Sequence, residues 1–250
     1  MIVQYDRPQT LEKALKLLSR PNTRPLGGGT VLTHQSDESY SVVDLQDLGL
    51  DTLRKSGNNL EIGATVTLQT LLESPYSIES IKTALELETP LNLRNMGTVA
   101  GALLTCDGRS PFAVVMLALD AKCTLISDRA SMIRLGDLLP LREELLRHSL
   151  VTKIEIPLNI KLAFETVGRT PSDKPIVCAA LAQWPSGRAR LALGGWGKAP
   201  TLAMDGNESG GLQEAARNAF SEAADEWASA EYRTEVAGIL TRRCKNEASS

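Results

Sequence analysis

Two stretches of side-chain-poor backbone, far apart in the sequence, constrain this chain more than any other feature. In Pro25-Leu26-Gly27-Gly28-Gly29-Thr30 three bare positions follow a short extended entry, Arg24-Pro25-Leu26. In Leu93-Arg94-Asn95-Met96-Gly97-Thr98-Val99-Ala100-Gly101-Ala102-Leu103-Leu104-Thr105, glycine and small residues alternate with apolar ones. A backbone without Cβ atoms lets another group come close. That group can be a second backbone, or a phosphate that needs several N–H donors at short range. Judged alone, the first stretch is by composition a plain flexible turn. The second is equally a tightly packed core crossing. Together they can clasp one diphosphate: Thr98, Gly101 and Thr105 offer hydroxyls and a bare position, and Ser110 stands close behind at a helix amino end carrying partial positive charge.

The rest of the chain reads as alternating helices and strands. Thr10 caps a helix whose Leu11, Ala14, Leu15 and Leu18 share one face. Ser41–Leu45 and Asn59–Ala64 read as strands, the second entered through the polar turn Ser56-Gly57-Asn58. Helices follow at Leu68–Glu73 and Ile78–Glu88, and Pro90 stops the second. Ser110 and Pro111, suited to the N-cap and first helical position, open an apolar helix through Leu119. Strands are predicted at Lys122–Ile126 and Val151–Ile156, with a short turn or helix at Leu135–Leu139. A hairpin through Pro185-Ser186-Gly187 joins Pro175–Trp184 to Arg188–Trp196. Amphipathic helices Leu212–Ala224 and Ala230–Lys245 close the chain, after a loop at Gly206–Gly211. Breaks near Leu53 and Pro157 divide an α+β chain into lobes 1–53, 54–157 and 158–250.

Composition narrows the function classes. At 250 residues and 42% hydrophobic, the chain can bury a full core. A net charge of −3 with mixed signs lacks the basic footprint of a nucleic-acid binder and leaves a small-molecule or protein partner. The start Met1-Ile2-Val3-Gln4-Tyr5-Asp6 lacks signal-peptide character and no window reads as a membrane span, so a cytoplasmic location is expected. Cys106, Cys123, Cys178 and Cys244 lie far apart, without the close pairs of zinc or iron–sulfur sites, and read as reduced, mostly buried thiols. Cys106, beside the glycine-rich segment, reads as a small apolar filler, with a reactive thiol as the alternative. Leu32 stands where a Rossmann fingerprint needs its third glycine, and no Gly-Lys-Ser/Thr of a P-loop occurs. His34 and His148 are the only histidines, both read as surface or turn residues, and no serine sits in a nucleophile elbow.

In order along the chain, these pieces resemble the FAD-binding medium subunit of the molybdopterin dehydrogenases, the family of xanthine dehydrogenase and aerobic carbon monoxide dehydrogenase. Pro25–Thr30 is similar to the family's first flavin loop, Ile62-Gly63-Ala64 to a strand signature, and Arg94–Gly101 to the second loop. Leu117-Ala118-Leu119-Asp120-Ala121, Glu155-Ile156-Pro157, Leu193-Gly194-Gly195 before Pro200, Tyr232-Arg233 and Leu240-Thr241-Arg242-Arg243 also fit. The resemblance implies a flavoprotein oxidoreductase subunit: two small α/β lobes that bind FAD and a C-terminal lobe of a small antiparallel sheet plus helices. It implies that Leu26, Gly27, Gly28, Gly29, Thr30 and Leu32 wrap FAD near its pyrophosphate, with Gly97, Thr98, Gly101, Thr105 and Ser110 closing from the other side. Implied partners are an iron–sulfur subunit that delivers electrons, a molybdopterin-binding subunit that draws them from substrate, and NAD or another acceptor. Three positions depart from the pattern: Thr30-Val31 replaces Thr followed by an acid, Ala100-Gly101-Ala102 replaces Gly-Gly-Asn, and Pro111 replaces an acid. They define the alternative, a relative that kept fold and subunit contacts without FAD and serves as a scaffold. An unrelated α+β binding domain would require the ordered matches to be coincidence. On the ligand reading, Gly28→Val is expected to abolish FAD binding with the fold largely intact.

Overall fold

The computed structural model describes residues 1–32, 38–147, 149–207 and 210–249. The readings of His34 and His148, and part of the Gly206–Gly211 loop, lie outside the described residues. The chain is α+β and divides into two compact units. The first comprises Met1–Ser74, Leu91–Thr105 and Lys122–Glu155, and the second Pro75–Pro90, Cys106–Ala121 and Ile156–Ser250.

The first unit opens with β1 (Ile2–Asp6), α1 (Leu11–Leu18), β2 (Thr23–Leu26) and β3 (Tyr40–Asp44), the strands forming a parallel sheet ordered β1-β3-β2. Thr10 caps α1 by accepting from Lys13 N at 3.3 Å. Ala14 and Leu17 of α1 pack with Val43, Leu45 and Leu150 into a small core. Burying that stripe stabilises the helix more than its propensity does, because eight residues are too few for a helix to persist alone. Leu45 N donates to Leu26 O at 3.0 Å, so the end of β2, where the glycine loop begins, is fixed to the central strand.

A second sheet in the same unit uses β4 (Leu53–Ser56) and β5 (Asn59–Gly63), an antiparallel pair turned about Gly57 in the left-handed region at φ 61°. Between it and the next strands come α2 (Leu68–Glu73), and, after α3 (Glu79–Glu88) of the second unit, two short helices α4 (Leu91–Arg94) and α5 (Val99–Leu104). With β6 (Lys122–Ile126), β7 (Ala130–Arg134) and β8 (Leu150–Pro157), the sheet order is β4-β5-β8-β6-β7, and the short helices α7 (Leu135–Leu138) and α8 (Arg142–Leu145) lie between β7 and β8 in sequence. The small-residue segment read as a close crossing thus contains the six-residue helix α5. Thr98 starts it with a side chain that accepts from Gly101 N at 3.1 Å.

In the second unit α6 (Pro111–Ala118) has every residue buried, as an all-apolar helix must. It packs against α3, β10 (Val177–Gln183) and β11 (Ala189–Gly194). Those strands belong to an antiparallel sheet ordered β12-β11-β10-β9, with β9 (Lys161–Val167) and β12 (Thr201–Gly206) at its edges. The expected hairpin is present: Trp184 N donates to Arg188 O at 2.9 Å and Gly187 takes φ 89°. Helices α9 (Leu212–Ala219) and α10 (Ala230–Ser249) cover the sheet, and Phe220 and Leu240 join its core. Helix α9 stops short of the expected Ala224, where Arg233 intervenes. Fully buried, its guanidinium donates to Ala223 O (2.8 Å), Ala228 O (3.1 Å), Ile176 O (3.3 Å) and Gly195 O (3.2 Å), and to Asp225 at 2.8 Å. Those carbonyls must face inward, so the backbone there leaves the helix. No helix of the described residues is long and apolar enough to cross a membrane.

Candidate functional site

The two glycine segments meet in the first unit. A Cβ on Gly27 would lie 2.9 Å from Thr98 Oγ1, and one on Gly101 would lie 2.8 Å from the same oxygen. The Thr98 hydroxyl is therefore flanked by two bare Cα positions, one from each segment. A Cβ on Gly28 would fall on the Met96 carbonyl, so that glycine is required by backbone-to-backbone packing. This corrects the expectation that Gly28→Val spares the fold. Gly97 faces Thr30, its absent Cβ 3.8 Å from Thr30 Oγ1. Gly29 turns the loop in the left-handed region at φ 73°.

The second segment is anchored from below. Gly97 N donates to Leu93 O at 2.6 Å, Leu68 N donates to Gly97 O at 2.9 Å, and Val99 N donates to Val66 O at 2.8 Å. Ala100 N reaches Ala64 O at 3.3 Å. With Gly101 N on Thr98 Oγ1, the first-turn amides of α5 are committed within the chain. The loop differs: among the described residues no hydrogen bond engages the amides of Gly27, Gly28 and Thr30, and all three residues are half-buried. The amides left over for a ligand are therefore those of the first segment, and the second packs beneath them.

Beside this junction lies a mostly apolar cavity of ≈ 360 Å³, whose walls include Leu15, Val31, Leu32, Gly101, Thr105 and Leu150. Its volume lies within the range of small-molecule sites. Thr105 is exposed and donates to Gly101 O at 2.8 Å, leaving its oxygen lone pairs toward solvent. Val31, a departure in the first loop, is 47% exposed and forms part of the cavity wall. Leu26, at the end of β2, leads into the loop without lining the cavity.

Two residues that sequence reading missed hold the loop's far end. Tyr40, 3% exposed on β3, donates its hydroxyl to the Leu32 carbonyl. Arg24 stacks 4.5 Å from the centre of the Tyr40 ring and pairs with Glu38 at 2.6 Å. An aromatic residue directly before the apolar run Ser41–Leu45 was the available signal for Tyr40.

Ser110 lies in the second unit and is fully buried. Its hydroxyl donates to Glu88 at 2.7 Å and accepts from Ala113 N at 3.1 Å, so it is committed to capping α6. Glu88 also accepts from Phe112 N at 3.1 Å, which places a carboxylate at the helix start where Pro111 contributes neither acid nor amide. Burial pushes the Glu88 carboxyl up, against the lowering effect of the Ser110 hydrogen bond. The four cysteines are free and buried, and burial raises the thiols of Cys123 and Cys244 to about 12. That fits inert core residues rather than nucleophiles.

Free loop amides, a bare-backbone junction and an adjoining apolar cavity can together receive a ligand that joins an anionic group to an apolar one. The comparisons agree with that chemistry. Residues 1–159 match the family described as FAD binding domain in molybdopterin dehydrogenase. The glyceraldehyde dehydrogenase medium chain of Sulfolobus acidocaldarius is 30% identical over 80% of this chain and 78% of its own length. The carbon monoxide dehydrogenase medium chain of Afipia carboxidovorans is 26% identical over 98% of this chain and 96% of its own. Among solved structures, a chain of the reconstituted CO dehydrogenase from Oligotropha carboxidovorans superposes with a TM-score of 0.80 at 26% identity, covering 98% of this chain and 96% of that one. The chain belongs to the FAD-binding domain family of the molybdopterin dehydrogenases, as the FAD-carrying component of an oxidoreductase.

Proposed function

We propose that this chain is the electron-transfer flavoprotein subunit of a cytoplasmic molybdenum hydroxylase. It takes electrons from a separate iron–sulfur subunit, fed in turn by a molybdopterin-binding subunit, and passes them to NAD or another acceptor. The reading is carried by one observation, the meeting of both glycine segments at the Thr98 hydroxyl beside the apolar cavity. Bound FAD supplies the redox chemistry, exchanging electrons singly or in pairs.

The chain's own residues bind and orient. Gly27, Gly28 and Thr30 offer amide donors to the diphosphate, where charge-assisted hydrogen bonds are about twice as strong as neutral ones. Thr98 fixes the facing segment, and Gly97 and Gly101 leave room beside it. Leu26 leads into the loop, Gly29 sets its turn, and Leu32, pinned through Tyr40, closes one side of a slot for the adenosine half. Thr105 offers a hydroxyl at the rim. Ser110 is left out of this set because its hydroxyl is already committed.

The test is the visible spectrum of the purified chain, before and after incubation with FAD, followed by stepwise reduction with dithionite and with NADH. Flavin bands that bleach on reduction, in a stoichiometry near one flavin per chain, support the reading. A chain that stays colourless after incubation overturns it and favours the scaffold alternative. Bleaching by dithionite but not by NADH keeps the flavin role and removes NAD as the acceptor.

A further inference from the structure

The apolar cavity adjoins a second, open cavity of ≈ 630 Å³ in the same unit, and Leu18, Thr23, Arg24, Leu104, Leu146 and Arg147 form a wall common to both. Beyond that wall the second cavity is bounded by Arg20, Asn22, Arg142 and Glu143. Four arginines and one glutamate therefore line it. Asn22, left-handed at φ 52°, bends the turn between α1 and β2 and so brings Arg20 and Arg24 to one wall. Arg20 reaches Asp6 only at 3.8 Å, whereas Arg24 is held by Glu38 at 2.6 Å and by the Tyr40 ring. Val31, Leu32 and Gly101 line the apolar cavity alone. The wall of the apolar slot thus carries Arg24 and Arg147 where it is shared with the second cavity, and Gly101 with Val31 and Leu32, the residues that follow the glycine loop, where it is not.

Guanidinium groups match phosphate oxygens in geometry as well as charge, and several around one open space favour a group with more than one negative charge. We infer that the arginine-lined cavity is a polyphosphate site, taking the phosphates of ADP or ATP while the adenine occupies the adjoining apolar slot. This rests on the reading of that slot as the adenosine site of FAD. The consequence is competition: a free adenine nucleotide and FAD share the base slot but send their phosphates to different ends. Flavin loading then depends on the adenine nucleotide level.

The experiment is calorimetric titration of the flavin-free full chain with FAD, ADP, ATP and inorganic tripolyphosphate. ADP and ATP should bind, FAD should displace them, and tripolyphosphate should bind more weakly because it leaves the apolar slot empty. The variant Arg20→Glu/Arg142→Glu changes two residues that line the second cavity and not the apolar slot. It should weaken ADP about 100-fold, roughly tenfold for each charge-assisted hydrogen bond removed, while FAD affinity stays within about threefold by the same scale. The single variant Arg147→Ala should weaken ADP in the same direction by about tenfold. FAD binding without ADP binding, or ADP binding indifferent to these changes, overturns the inference and leaves the flavin reading standing. Failure of FAD itself to bind overturns the flavin reading as well.

Discussion

The glycine loop of the first unit and the amino end of α6 in the second each gather backbone donors that attract negative charge, and they meet that demand from different sources. At α6 the chain supplies its own anion: Glu88 accepts from the Ser110 hydroxyl and from Phe112 N, Ser110 accepts from Ala113 N, and Pro111 has no N–H to satisfy. At the loop the amides of Gly27, Gly28 and Thr30 have no partner among the described residues, and the next residues, Val31 and Leu32, line a cavity. A helix amino end has the chemistry of an anion site, yet it is closed once a neighbouring carboxylate fills it. Whether an external ligand is called for is decided by which donors are left over.

The sharpest break in this comparison is Gly28→Val. The added Cβ must displace the Met96 carbonyl, so both the loop and its platform shift. Flavin binding should be lost, and thermal unfolding should show a destabilisation of about 3 kcal/mol, the upper end for overpacking. Retained flavin with a wild-type melting curve would show that the segments do not pack as described. Glu88→Ala opens the other region. It leaves the Ser110 hydroxyl and Phe112 N unpaired at a buried helix start, a loss of about 2 kcal/mol. Flavin affinity should not change, because the variant touches α6 and not the loop. A flavin loss as large as that of Gly28→Val would erase the distinction drawn between them.

A smaller effect tests the junction itself. Thr98→Ala removes the cap of α5 and should cost about 1 kcal/mol. Gly101→Ala places a methyl group 2.8 Å from Thr98 Oγ1 and should cost a similar amount. In the double variant that crowding is absent, so the combined loss should be smaller than the sum of the two, read as melting temperature and FAD affinity together. Strict additivity would mean that Thr98 Oγ1 is not the shared neighbour.

Strands were legible in proportion to their place in the sheets. The central strands β3, β5, β6, β8, β10 and β11 all stand out as apolar runs, because both neighbours and a core face demand it. The strands not read, β1, β4, β7, β9 and β12, are edges of their sheets. In β1 Ile2, Val3 and Tyr5 are all exposed, and β7 is exposed at four of five positions, so no buried pattern marks them. Thr10 and Ser110 were legible as caps because capping is local, each accepting from an amide three residues ahead; Thr67 and Thr98 do the same but were not read as caps, Thr98 because no helix was expected after it. The commitment of Ser110 to Glu88, and the reason Gly28 must be glycine, depend on partners far away in sequence or on another turn of chain. The glycines announced a close approach; only the fold shows that Gly28 approaches backbone while Gly27 and Gly101 flank a hydroxyl.

The finest test of the α6 end is its pH dependence. Burial holds the Glu88 carboxyl above its ordinary range, opposed by the Ser110 hydrogen bond, by the charge of Lys174 and by the amide of Phe112, while Asp107 adds to the rise. A carboxyl that binds its proton more tightly folded than unfolded destabilises the folded state as pH climbs from the unfolded value, about 4.3 in model peptides, to the raised folded one, above which stability levels off. Asp205 works the other way: its hydrogen bonds from Arg188 hold it low, so its contribution is present above the ordinary carboxylate range and fades as pH falls through the folded value. The two are separated by Glu88→Gln, which keeps an oxygen for Phe112 N and Ser110 but never ionises. Melting temperatures of wild type and variant across this range should converge in acid and diverge upward, the variant gaining relative to wild type. Parallel curves would mean that Glu88 titrates normally and that the α6 end is open to solvent, like the loop.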